Sequence, residues 1–513
     1  MVVTTFINAR LVGAQDSEET YTVVIGEEGN ISKIIPTSQA QEAQASDSSV
    51  YYDLGGELYL APSLIDAHTH FTSWTLSTRR LDLYNCKSSA EVLELVKPYV
   101  EEQAKEAGLP FIVAHKMRVG EWPEGDGMTR QLLDFTQQPL VILFAGLHSL
   151  CANSEALRRL GYEPEDHDGV LLEGDCFKTF EKLNDISEEI LDRWVDEAAV
   201  KAAEMGITQI VDLEWAFNAR NWKRRFDKGT RSLRVSVGMY QEHLDEAIEA
   251  GRRTGDAVEG TDGLITIGPH KIITDGSLGS RTAFCCDHYP NEPTNFGRLE
   301  VPVATLKDLA EKATRHGIRL AVHAIGDEAN HLTLETLASI NPPPLPESSI
   351  EHAQLLTLSD IPLFKRLNLI ASVQPCHLID DRELAAKFWP GRTQRAYAFA
   401  SLVEAGIELK MGSDAPVAPI DPWDAIAVAV SRTARGEEDT GVAWHPEQCI
   451  SNEVAWASST SNGKVGIEVG ERADLVVIAD DPLVADAKVL RKMTTGVKGT
   501  MLGGRWTQNR LQN

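Results

Sequence analysis

The chain has 513 residues, 42% of them hydrophobic and 24% charged, which suits a soluble globular enzyme of two or three units with a large buried core. Its formal charge is −27, from 49 basic and 76 acidic residues, and no compact Lys/Arg run opposes that balance, so a nucleic-acid partner is excluded. The seven cysteines are odd in number and show no CxxC spacing, which argues for reduced thiols and against a disulfide framework or a zinc knuckle.

The first residues lack a basic segment followed by an apolar one, so no signal peptide is expected. No run approaches the roughly eighteen apolar residues of a membrane span. The cytoplasm is therefore the default compartment, with no membrane partner, and a homo-oligomer is left open.

In chain order, residues 4–8, 21–25, 31–35 and 58–61 read as short strands with turns between them, and 38–49 as a polar connection. Residues 474–478 and 496–506 read as strands again. The two ends, 1–60 and 455–513, are thus expected to build one small β-sandwich domain. Between them, 61–454 alternates strand-like and helical stretches, the pattern of a parallel sheet. Eight strand candidates cover 64–70, 207–213, 233–240, 265–274, 318–323, 349–352, 369–374 and 407–412. Eight such units make a TIM-type (β/α)8 barrel with its chemistry at the C-terminal strand ends. The gap after the first strand is too long for one crossover, so residues from about 71 to about 200 are expected to form an insertion.

Six residues of metal-binding type, actual or potential, lie in or just after those apolar strands: His68, His70, Lys271, His323, His352 and Asp414. Side chains two apart in a strand share a face, so His68 and His70 can aim at one point. Imidazoles suit borderline metals and a carboxylate adds a hard anionic oxygen, a set that favours zinc over iron or manganese. A metal lowers the pKa of bound water towards about 7, the nucleophile that hydrolysis of an unactivated amide needs. Asp414 can ligate and also take a proton from that water. As an alternative it caps a helix. A buried Lys271 can lose its proton and react with CO₂ to an anionic carbamate, which can bridge two cations. It can equally pair with a carboxylate. In the insertion His148, Trp74 and Trp122 are candidate pocket residues.

At this point the sequence resembles the amidohydrolase superfamily, in the branch that includes N-substituted formamide deformylase and exoenzyme regulators (amidohydrolase family 3). The matching pieces are Asp66-Ala67-His68-Thr69-His70-Phe71, His148-Ser149, Lys271 with Asp275 to Ala283, His323-Ala324-Ile325-Gly326-Asp327, Glu351-His352-Ala353, Gly412-Ser413-Asp414 and Ala473-Asp474-Leu475-Val476-Val477. The resemblance implies that His68 and His70 bind one divalent metal and His323 and His352 a second, one or two ions in all. A carboxylated Lys271 would bridge them, and Asp414 would bind the first metal and act as general base. Asp275 and Arg281 join His148 and Trp122 as expected contacts to a small-molecule substrate. The acidic stretch 163–168 departs from the family tendency.

The expected function is metal-dependent hydrolysis of a C–N bond in an amide or N-substituted formamide. A deaminase or cyclic-amide hydrolase on the same barrel, and a non-catalytic regulatory relative, are the alternatives, since a barrel does not fix its substrate.

Overall fold

The computed structural model describes residues 2–511 apart from 17, 41–48, 107, 119–121, 123–126, 145–148 and 216–217. His148 lies outside the described residues. The chain divides into two compact units, Met1–Ser73 with Asp196–Asn513, and Trp74–Val195.

The first unit holds the barrel. Its strands are Leu64–Thr69, Ile207–Asp212, Arg234–Met239, Ile265–Ile273, Leu320–Ala324, Ser349–His352, Ile370–Val373 and Leu409–Met411. They pair in that order, and every ladder is parallel. Each lies within two residues of its expected bounds. All six residues of Leu64–Thr69 are buried, as a strand covered on both faces requires.

Closure occurs where the first and last strands end. Asp414 N–H donates to His68 O at 2.6 Å and His70 N–H to Ala415 O at 2.9 Å. Gly412 permits this approach: a Cβ there would sit 2.5 Å from the His68 nitrogen. Just below, Asp66 accepts from the Ser413 N–H at 2.9 Å and from its hydroxyl at 2.5 Å, tying the same two strands side chain to backbone.

Both termini build the second sheet, in the order Arg505–Asn509, Val497–Leu502, Leu475–Ile478, Tyr59–Pro62, Val3–Leu11, Tyr21–Ile25, Ile31–Pro36, with Ser49–Asp53 beside Val3–Leu11. The long strand Val3–Leu11 serves three partners, with Tyr21–Ile25 along one edge and two strands sharing the other. Its first half pairs with Ser49–Asp53 and its end with Tyr59–Pro62. The register shifts between Phe6 and Ala9, where Asn8 has φ +52°, a conformation Asn tolerates better than most residues. Trp506 packs edge-on against Phe6 and Tyr52, which stack on each other, with ring centroids 5.2–5.9 Å apart. Ser49–Asp53 was not expected as a strand, because it follows directly on the polar connection.

The second unit carries a five-stranded sheet, Val170–Leu172, Ser149–Ala152, Leu140–Phe144, Ile112–Met117 and Leu81–Asp82. Its central strands are apolar on both faces. Ile112, Ala114, Leu140 and Ile142 enter one core, and Val113, Val141 and Leu143 another. Helix Ser89–Gln103 brings Val92, Val96 and Val100 to the first, at helical spacing, and Ser88 caps its start.

Candidate metal centre

His68, at the end of the first strand, is almost wholly buried. Its Nδ1 lies 2.6 Å from Glu351 Oε2. The carboxylate accepts, so Nδ1 carries the hydrogen and Nε2 keeps its lone pair for a metal. That Nε2 lies 3.3 Å from Lys271 Nζ and 3.5 Å from Asp414 Oδ1. His70 Nε2 lies 3.2 Å from the same Asp414 oxygen.

His323 and His352 arrive from adjacent strands, where Ala324 is in register with His352, and their ring centroids are 4.5 Å apart. His323 Nε2 lies 3.2 Å from the Gly276 carbonyl, which leaves Nδ1 as its nitrogen for a ligand. His352 and Asp414 have φ of +70° and +55°, left-handed backbone that such side chains seldom adopt. The closure contact between Asp414 N–H and His68 O holds the second of these in place.

Electrostatics favour ligand-ready forms. Burial pushes the Lys271 ammonium down from its ordinary value, towards the neutral amine. Burial also lowers His323 to about 3, and His352 well below its usual range, so both imidazoles stay neutral. Burial acts to raise the Asp414 carboxyl, but His68 and the other histidines around it outweigh burial and keep it ionised.

These residues fit a divalent cation. His68, His352 and Asp414 each offer a donor atom, and the three atoms lie within 4.8 Å of one another. His352 Nδ1 and His70 Nδ1 are buried without a hydrogen-bond partner, a cost that a bound ion or an ordered water offsets. The tightest trio thus joins His68 to His352 across the barrel, whereas the expected first-metal pair joins His68 to His70. Lys271, His70 and His323 complete the surrounding wall.

A cavity of about 420 Å³ opens above the centre. Besides the six expected residues its wall includes His377, Gln354, Asp381, Tyr240 and Trp215. His377 follows the seventh strand on helix Pro375–Phe388. Its Nε2 lies 3.8 Å from Asp414 Oδ2, has no hydrogen bond, and its ring is parallel to His352. The sequence signal for His377 is its place just beyond the apolar run Ile370–Val373. For Glu351 it is the shared strand with His352.

Three expected substrate contacts lie elsewhere. Asp275 is fully buried, and its carboxylate accepts from the backbone N–H groups of Phe284, Ile325 and Gly326 at 2.9–3.0 Å. It fixes the loops behind His323, and burial raises its carboxyl to about 7. Arg281 is largely exposed, is paired with Glu292 and does not line the cavity. Trp122 is buried in the core of the second unit, where its Nε1 donates to the Cys86 carbonyl at 3.0 Å. Trp74 is buried too.

The sequence model of the amidohydrolase family matches residues 51–508. The chain belongs to the amidohydrolase family. This amidohydrolase is 27% identical over 505 residues to the protein Long After Far-Red 3 of Arabidopsis thaliana, covering 90% of this chain and 84% of that one. It is 24% identical over 536 residues to the N-substituted formamide deformylase of Arthrobacter pascens, with 96% of each covered. Its fold is that of an uncharacterized metal-dependent hydrolase from Pyrococcus horikoshii, with a TM-score of 0.77 at 23% identity over 94% of this chain and 99% of the other.

Proposed function

We propose that this amidohydrolase is a metal-dependent hydrolase of C–N bonds, acting on an amide or N-substituted formamide. The observation that carries the reading is the convergence of His68, His352 and Asp414 donor atoms at the floor of a cavity, at the C-terminal mouth of a parallel barrel. Support comes from the family match and from the deformylase relative, whose named activity concerns the same bond.

His68, His70, His323, His352 and Asp414 would hold one or two ions, with zinc the best fit to this nitrogen-rich set. When bound, such an ion polarises a carbonyl oxygen and acidifies water. Lys271, whose ammonium burial disfavours and which lies 3.3 Å from His68 Nε2, would as the neutral amine add to CO₂ with loss of a proton, and the resulting carbamate would give the site an anionic oxygen donor. In the overall reaction, R–CO–NH–R′ and water give R–COOH and R′–NH₂.

The residues divide the proton work. Asp414 takes a proton from the attacking water. It then gives that proton to the departing nitrogen from Oδ2, the oxygen that faces His377. His377 Nε2 is available to hydrogen-bond the substrate as the C–N bond opens. Glu351 keeps His68 in the tautomer that presents Nε2. No described helix is long and apolar enough to cross a membrane.

The test pairs metal analysis with a screen of amides and N-formyl amines for released amine. Metal-loaded protein should release amine from at least one of these compounds, and chelated protein should not. Turnover unaffected by thorough chelation would overturn the reading.

A further inference from the structure

One wall of the cavity is built with more care than bond cleavage requires. His377 and Asp381 are four residues apart on helix Pro375–Phe388, hence on one face, and both line the cavity. His377 stands beside Asp414, and Asp381 lies one turn further along, about 6 Å at the helical rise of 1.5 Å per residue. Asp381 Oδ2 accepts from Gln354 Nε2 and from the Tyr397 hydroxyl, each at 2.6 Å. Tyr397 is itself locked. Its φ is +53°, costly for a bulky residue, its N–H donates to Gln354 O at 2.7 Å, and its carbonyl accepts from Arg432 Nη1 at 2.9 Å. Backbone strain is thus held where it sets one carboxylate in place.

The other oxygen, Oδ1, has no partner, and Asp381 makes no ion pair among the described residues. The adjacent Arg382 is taken up by both oxygens of Glu437, at 2.7 and 2.6 Å. Among the described residues Lys271 is the only Lys or Arg on the cavity wall, and it sits at the candidate metal centre. On the other side of the barrel the wall is Trp215 stacked on Tyr240, centroids 4.6 Å apart and planes 18° from parallel. A preset carboxylate favours a cation, an aromatic face favours a cation, and nothing on this wall welcomes an anion.

We propose that the cavity selects substrates whose nitrogen substituent carries a protonated amine or guanidine, with Asp381 as its counter-ion one helical turn beyond His377, about 6 Å along the helix axis. The inference rests on the C–N hydrolase reading. It places the cation on the nitrogen side because Asp414 Oδ2, which protonates the leaving nitrogen, faces the helix that bears Asp381. The substituent then extends along that helix.

The test uses full-length, metal-loaded protein and three matched formamides: mono-N-formyl-1,4-diaminobutane, N-formylbutylamine and N-formyl-4-aminobutanoate. The expected order of kcat/KM is cationic, neutral, anionic, with the first at least about tenfold above the second, the scale of one charge-assisted hydrogen bond. In Asp381→Asn, which keeps an acceptor for Gln354 and Tyr397, the cationic-to-neutral ratio should fall to about one. A parallel calorimetric titration with 1,4-diaminobutane, butylamine and 4-aminobutanoate reads the same preference without turnover. Equal values for cationic and neutral compounds, or a preference that survives Asp381→Asn, would overturn the proposal. Selective binding of the diamine with no formamide hydrolysed would retain Asp381 as a cation site and reject the formamide reading.

Discussion

At Asp414 one carboxylate faces His68, His70, His352 and His377. Oδ1 points to the first-strand histidines and Oδ2 to His377, so the proposed ligation and proton transfer would fall to different oxygens. Asp414→Asn keeps size but weakens the base, and turnover should fall at least about 10²-fold with the fold intact and metal partly retained. Steady-state kinetics on any accepted substrate measures this, and near-normal turnover would move the proton to another group. Glu351 works through His68. Glu351→Ala should weaken metal binding by about 10–100-fold, and Glu351→Gln should recover part of it, read by competition with a chromogenic chelator. Equal affinity in all three proteins would show that the contact does not orient the imidazole. Asp275 shows the limit of reading residues singly. The resemblance makes it an expected substrate contact, yet three backbone amides occupy its carboxylate. Asp327 likewise serves the scaffold, paired with Arg392 and Arg395.

At the scale of elements, the barrel strands were legible because each is a run of buried apolar residues with a short helix-bearing return. The ligands at their ends were legible because strand parity and position are local. His377, Glu351 and Asp381 were not. They join the site only through closure of the barrel, which brings Glu351 to His68 across 283 residues of chain. Closure depends on Gly412. Gly412→Ala would drive a methyl into the His68 backbone, and the strands must part or shift. The expected cost is about 1–3 kcal/mol in denaturant unfolding, with metal affinity reduced at the same time, because His68 and Asp414 flank the contact. An unchanged midpoint would mean that the first strand relaxes freely.

For the molecule as a whole, the β-rich ends announced themselves as strands at both termini, and Leu475–Ile478 does pair with Tyr59–Pro62 next to the first barrel strand. The insertion was visible as an overlong gap. Its sheet has two apolar faces, so Trp122, read as a pocket residue from its loop-like surroundings, belongs to a core. All the candidate ligands lie in the first unit, whose central feature is a candidate metal site assembled from five of the barrel strands. Metal content of purified protein tests that directly, in the wild type and in the double variant His68→Ala, His352→Ala. The expected result is about one or two ions, chiefly zinc, per wild-type chain and almost none in the folded double variant. Equal metal content in the two proteins would contradict it.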